Sequence, residues 1–157
     1  MIGLGRIPPG PARAAHLPLL LLADDVAESY LHDGDLWVYE AGTGVVLTLP
    51  SEEPGSVELR NVAVDPVHQG RGLGRAMVAT LLPALRRQGH RRAVVGTGTA
   101  DPRTYIFYQR CGFRPWRVER DRFTPERGYD RAQLIEDNGL AHRDMLWFDL
   151  DLDAPLG

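Results

Sequence analysis

Between a valine-rich stretch and a run with helical periodicity lies HQGRGLGRAM, residues 68–77, with Gly70, Gly72 and Gly74 at every second position. A glycine-rich turn from a strand end into a helix start leaves successive backbone N–H groups bare at the positive end of the helix dipole, and such a turn is a cradle for phosphate. Side chains would block the approach, so glycine suits the position. Arg71 and Arg75 can add charge-assisted bonds to the same phosphates. Other chemistry is closed off by what is missing. All 18 basic residues are arginine, which excludes a P-loop lysine and any Schiff base on a side chain. The five histidines, His16, His32, His68, His90 and His142, show no metal-ligand spacing, so no metal is expected. Cys111 sits beside Gly112 with no histidine near it in sequence and reads as a packing residue rather than an acyl-accepting nucleophile.

An ordinary tight turn would use the same glycines, so the elements around them matter. A chain of 157 residues with 43% hydrophobic content has room for one domain with a real core, residues 1–157, and no apolar run is long enough to cross a bilayer. The periodicity predicts a helix over residues 12–23, then strands over 36–40 and 45–49 with Gly42 and Gly44 supplying the turn. A longer strand over 57–64 stops at Asp65-Pro66, because proline cannot donate to the ladder. A helix over 72–88 follows, with Leu73, Met77, Leu81 and Leu85 on one stripe, Gly89 as its stop, and a kink expected at Pro83. Residues 92–98 form the next strand, and Asp101-Pro102 opens another helix as N-cap and first helical residue. That helix ends before Gly112, where GFRPWRV starts a strand. The last strand is DMLWFDLDL, in which Leu146, Phe148, Leu150 and Leu152 alternate with more polar neighbours as in a half-buried strand. A meander followed by a strand-helix-strand crossover is a mixed α/β sheet.

With its surroundings, the loop gains specificity. VAVDPVHQGRGLGRAM followed downstream by YIFYQRCGF resembles the GNAT superfamily of acetyl-CoA-dependent N-acetyltransferases. The family's pyrophosphate loop matches here at Gln69, Gly72 and Gly74, and Tyr108 stands five residues before Phe113. The motif-bearing part covers residues 57–113. The resemblance implies a mixed, mostly antiparallel central sheet with two splayed parallel strands and flanking helices, and acetyl-CoA as cosubstrate.

The resemblance also implies roles. The pantetheine arm would bond to the backbone of Val62, Ala63 and Val64, with Gly96 and Gly98 facing it from the second strand. The amides of Gln69, Gly70, Arg71, Gly72, Leu73, Gly74 and Arg75 would hold the pyrophosphate. A backbone N–H near Val62 to Val64 would steady the oxyanion. Glu58 matches the base of the histone-modifying branch and, by the period of two, is expected on the same side of its strand as Val62 and Val64; water is the competing base. Tyr108 matches the general acid that protonates the departing thiolate, and it counts among the cofactor contacts. Asp101 also counts among the implied cofactor contacts but departs from the pattern: many relatives carry Asn there to touch the pantetheine arm, and an aspartate caps the helix equally well.

The expected activity is direct transfer of an acetyl group from acetyl-CoA to a primary amine of a small molecule or peptide. A non-catalytic acyl-CoA-binding regulatory module would carry the same loop. A dinucleotide-binding oxidoreductase is disfavoured, since the glycines run G-x-G-x-G and the nearest downstream acid is Asp101. Residues 1–60 hold nine acids against three arginines, whereas residues 66–110 hold eight arginines against one acid. The basic middle suits a polyanionic ligand and the acidic first third, with Asp24, Asp25, Glu28, Asp33 and Asp35, a cationic one. No nucleic acid or membrane partner is expected, and pairing of two copies as a homodimer is left open. The apolar run at residues 17–23 follows Arg6 and Arg13 as in a signal peptide, but Pro18 interrupts it and Asp24 and Asp25 close it, so a cytoplasmic protein is expected.

Overall fold

A computed structural model describes residues 3–155. The chain divides into two compact units, Met1–Ala93 with Asp151–Gly157, and Val94–Leu150. The strands described are mostly antiparallel and alternate with helices, in agreement with the expected mixed α/β class.

In the first unit, β1 (Leu4–Ile7), β2 (Asp35–Tyr39), β3 (Gly44–Pro50) and β4 (Ser56–Val64) lie side by side in chain order, each antiparallel to the next. The short β1 has no counterpart in the sequence reading. The helix expected over residues 12–23 is two pieces, a 3-10 turn Pro11–His16 and α1 (Leu17–Ala23). Each piece carries proline in its first turn, where a missing N–H costs nothing. Leu20 of α1 packs with Tyr30, Leu36, Val45, Leu47 and Ala63 on one face of the sheet. The other face receives α2 (Leu73–Arg87), which buries Met77, Val78, Leu81, Leu82 and Leu85 and runs through Pro83 as one helix. Gly44 is not a turn residue: it is already in β3, and a Cβ there would lie 2.7 Å from the Met77 sulfur. The turn is made instead by Glu40–Gly42, where Gly42 takes φ +97°.

One irregularity in β4 changes which way its side chains point. Leu47 lies opposite Asn61, but Thr48 lies opposite Leu59, so Arg60 is an extra residue and the strand bulges there. Beyond the bulge, Leu49 lies opposite Glu58, and Leu49 packs with the cluster around Leu20. Residues directly opposite in an antiparallel pair share a face. Glu58 is therefore on the α1 face with Asn61 and Ala63. Val62 and Val64 lie opposite Val46 and Gly44, on the α2 face. The expectation that Glu58 shares a side with Val62 and Val64 is corrected: an unbroken period of two does not survive one inserted residue.

The loop before β2 is held by a side chain. Arg13 is fully buried, and its guanidinium donates five hydrogen bonds of 2.8–3.2 Å to the carbonyls of Ile7, Leu31, Asp33 and Gly34. All five N–H groups of the fork are used on main-chain acceptors. This pins the end of β1 to the segment that leads into β2.

β5 (Arg92–Gly98), β7 (Met145–Asp151) and β6 (Arg114–Glu119), all but the first two residues of β5 and the last of β7 in the second unit, lie side by side in that order, with β6 and β7 antiparallel. Between β5 and β6 runs α3 (Pro102–Arg110), with Asp101 as N-cap accepting from the Arg103 amide and Pro102 in the first turn, as expected. The last strand is not half-buried in the way its leucines suggest. Phe148 and Leu150 are buried, but so are Met145 and Trp147 on the opposite side, where they pack with Val94 and Phe123, while Leu146 is only partly covered. The long segment 120–144 supplies that second layer.

Candidate active site

The glycine loop has the geometry of an anion cradle. Gly70 and Gly72 take φ of +78° and +76°, the left-handed region that glycine alone enters without strain. A Cβ built on either would meet nothing within 4 Å, so the space in front of this backbone is open. Gly72 is the N-cap of α2, and the first bond of the helix runs from the Ala76 N–H to the Gly72 carbonyl at 3.0 Å. The amides of Leu73, Gly74 and Arg75 lie ahead of that bond, at the positive end of a 15-residue helix. The side chain of Gln69 turns back, and its Nε2 donates to the Val64 carbonyl at 3.0 Å, which ties the loop to the end of β4. Asp65 accepts from the Val67 amide at 3.0 Å and starts the turn. Arg71 and Arg75 are exposed.

Tyr108 lies in the second unit, on the buried side of α3. Its ring meets Phe107, Phe113 and Phe148 at centroid separations of 5.0–6.0 Å. Burial, with a smaller contribution from Cys111, raises its pKa, so the hydroxyl stays protonated at neutral pH. Asp101 spends its carboxylate on its own helix: besides the Arg103 amide it holds the Arg103 guanidinium at 3.0 and 3.1 Å, and that pairing lowers its pKa. Gly96 and Gly98 have packing reasons to be glycine, because a Cβ at Gly96 would run into Met145 and Trp147 and one at Gly98 into the His142 ring. His142 is fixed by the Ala100 amide at Nδ1, 3.3 Å, and by Glu136 at Nε2, 2.6 Å. Asn138 holds the Ala100 carbonyl at 2.8 Å, so segment 134–144 is fastened over the end of β5.

A third group lies in the first unit; pairing of Glu58 with Arg60 was the expected alternative to a base role, but its connection to Asp24, Tyr30 and Asn61 was not foreseen. Around the β4 bulge, Arg60 lies 3.7 Å from Asp24 and 3.8 Å from Glu58, and its guanidinium is stacked 4.8 Å over the Tyr30 ring. The Tyr30 hydroxyl donates to Asp24 at 2.8 Å and accepts from Asn61 Nδ2 at 3.0 Å. Burial first, and then Asp24, raise the Tyr30 pKa, which keeps the phenol a donor. Of the acidic residues counted between positions 24 and 35, Asp24 is held in this network, whereas Asp25, Glu28 and Asp33 are exposed. The only local hint was a polar Asn61 at a buried position within ELRNVAV.

Residues 32–115 match the family model for the acetyltransferase (GNAT) domain. An uncharacterised N-acetyltransferase of Bacillus subtilis, YvbK, is 34% identical over 139 residues, covering 85% of this chain and 87% of that protein. The chain belongs to the GNAT acetyltransferase family. A Bacillus subtilis acetyltransferase solved with CoA superposes on this GNAT chain with a TM-score of 0.81 at 30% identity, over 96% of this chain and 99% of that one. A GNAT acetyltransferase of Elizabethkingia anophelis with acetyl-CoA bound has a TM-score of 0.80 at 24% identity over 96% and 97%. This GNAT protein is thus an acetyl-CoA-dependent N-acetyltransferase, and acetyl-CoA is its cosubstrate. The open space before Gly70 and Gly72 and the helix-end amides fit a pyrophosphate. The matched residues of the GNAT domain include Glu58, the loop and Tyr108, but not segment 120–144. No helix among the described residues is long and apolar enough to cross a membrane.

Proposed function

We propose that the chain moves the acetyl group directly to a primary amine of a small molecule or peptide, with Glu58 as base and Tyr108 as acid. Acetyl-CoA, when bound, supplies the thioester. In this reading the amides of residues 69–75 bind its pyrophosphate, the main chain of Val62, Ala63 and Val64 binds the pantetheine arm, and a β4 amide steadies the charge that develops on the carbonyl oxygen. Glu58 takes a proton from the ammonium or from the attacking nitrogen. The new N–C bond forms as the C–S bond breaks, and Tyr108 gives its proton to the leaving sulfur. Asp101 is read as a helix cap whose contact with the cofactor is at most main-chain. Both compact units carry assigned residues, so we read the chain as one catalytic domain.

The observation that supports this reading most is the pair of left-handed glycines with open space before them at the start of α2. For Tyr108 as the acid, the support is its place on α3 five residues before Phe113, with a phenol that keeps its proton. The test is an acetyl-transfer assay over polyamines, amino acids, aminoglycosides and peptide N-termini, combined with rapid-quench mass spectrometry. A stoichiometric acetylamine product with no acetyl-enzyme is expected. Acetyl on Cys111, formed and discharged at the turnover rate, would replace direct transfer by a two-step route.

A further inference from the structure

β6 bulges between Pro115, opposite Phe148, and Arg117, opposite Trp147, so Trp116 is an extra residue there. The exposed guanidinium of Arg117 lies over the Trp116 ring at 4.9 Å and over the Trp147 ring at 5.3 Å. Trp147 is fixed in turn, its Nε1 donating to Glu119 Oε1 at 3.2 Å. Glu119, the acid of β6, is already taken by Arg122 at 3.2 Å and Arg127 at 3.3 Å. Among the described residues no carboxylate lies within ion-pair distance of Arg117. Other arginines of the second unit are exposed too, but Arg117 is held in place by two indoles rather than left to sample solvent. Trp147 also reaches β5, since a Cβ at Gly96 would come within 3.2 Å of its Cδ2. Arg117 is therefore on the face of Gly96, two strand spacings or roughly 10 Å away.

We propose that Arg117, laid on Trp116 and Trp147, binds a carboxylate of the acceptor, so that the amine acetylated belongs to an amino acid or a short peptide. The proposal rests on the amine-acetylation reading above and adds the end of the acceptor that does not react. Stacking occupies the flat faces of a guanidinium and leaves the N–H edge for a ligand. Every one of those N–H groups donates, so the occupant must accept, and a second cation is repelled. A neutral carbonyl or alcohol accepts the same bonds without balancing the charge. A carboxylate does both, and its two oxygens match the fork in one plane. Gly96 lies on the strand read above as one wall of the pantetheine cleft. A short molecule with an amine at one end and a carboxylate at the other, together with the arginine side chain, can bridge the two strand spacings between them.

The experiment measures kcat/KM for glycine, β-alanine, γ-aminobutyrate and glycylglycine, each against its own carboxamide, with O-phosphoethanolamine and spermidine alongside. The acid-to-amide ratio is taken for the wild type, Arg117→Met and Arg114→Met, and acetyl-CoA affinity is followed by calorimetry. The wild type should acetylate at least one of the acids, and Arg117→Met should lower its ratio by about tenfold, the lower end for losing a charged hydrogen-bond partner. Because the readout is a ratio, a partly unfolded preparation does not imitate this result. Arg114→Met removes an exposed charge from the same strand, one with no indole beneath it, and its ratio should stay within about twofold of wild type. An unchanged ratio in Arg117→Met overturns the proposal. An equal fall in Arg114→Met overturns it as well, since the effect is then a general surface field. Weakened acetyl-CoA binding in Arg117→Met would put this arginine on the cofactor instead and overturn its role toward the acceptor. A preference for O-phosphoethanolamine over β-alanine overturns the carboxylate in favour of phosphate. A wild type that acetylates spermidine or the carboxamides but none of the acids overturns the subsite while the amine reading stands. A wild type that binds acetyl-CoA and acetylates no amine overturns the reading beneath it.

Discussion

The glycine loop and the network around Asn61 are built in opposite ways. Residues 69–75 are contiguous, and the groups proposed to bind phosphate there are main-chain amides, with positive φ at Gly70 and Gly72. The network gathers Asp24, Tyr30, Glu58, Arg60 and Asn61 from a loop, a 3-10 turn and a bulged strand, and it is held together by side-chain atoms. A main-chain site therefore fails when an atom is added, whereas a side-chain site fails when one is removed. Tyr108 belongs with the second kind, since one phenol oxygen carries its proposed role.

The largest expected effect is a deletion at such a side chain. Tyr108→Phe should lower kcat by about 10² to 10⁴, the usual worth of a positioned acid, with acetyl-CoA affinity nearly the same. The ring and its contacts with Phe113 and Phe148 remain. Near wild-type kcat, with chemistry rate-limiting, would make Tyr108 a core aromatic. Next comes an addition to the main-chain site. Gly72→Val should weaken acetyl-CoA by at least about 100-fold in calorimetry, because losing two charge-assisted amide bonds to phosphate costs about 3 kcal/mol. The left-handed φ of +76° adds strain, so some loss of melting temperature is expected too. A deletion in the same loop sharpens the contrast: Arg71→Ala leaves every amide in place, and affinity should fall by less than about tenfold. If Arg71→Ala matched Gly72→Val, the cradle would be a side-chain site after all.

The scaffold offers its own version of the comparison. Arg13 makes five bonds to carbonyls that would lose their donors, and Arg13→Met should destabilise the protein by about 3 kcal/mol, lowering the melting temperature by roughly 10 °C. The smallest effect is expected at Asp101. Its pKa is lowered in the fold by Arg103, so its contribution is present above the unfolded pKa and is lost as pH falls through the folded value. Asp101→Asn still caps α3, and its melting temperature should lie slightly below wild type at pH 7 and coincide with it in acid. A constant offset at both pH values would mean that the charge is irrelevant.

What the sequence determined by itself is local. The strand before Asp65-Pro66, the glycines that open α2, the Asp101-Pro102 start of α3 and the place of Tyr108 all follow from residues within a few positions of one another, where backbone sterics and capping act. Together they were enough to identify the family and the cosubstrate. Only the tertiary structure decided the face of Glu58, because the bulge at Arg60 is a matter of register against β3 and has no signature in β4 alone. It also decided that Gly96 and Gly98 answer to Met145, Trp147 and His142, that Arg13 is buried, and that Asn61 holds an unpaired oxygen beside Tyr30 and Leu20. Those facts depend mostly on distant partners: Arg13 reaches Ile7, six positions away, but also Gly34, 21 positions away, and Asn61 reaches Leu20 across 41 positions. Hydrophobic periodicity records which face of an element is buried but not which side chains will meet there.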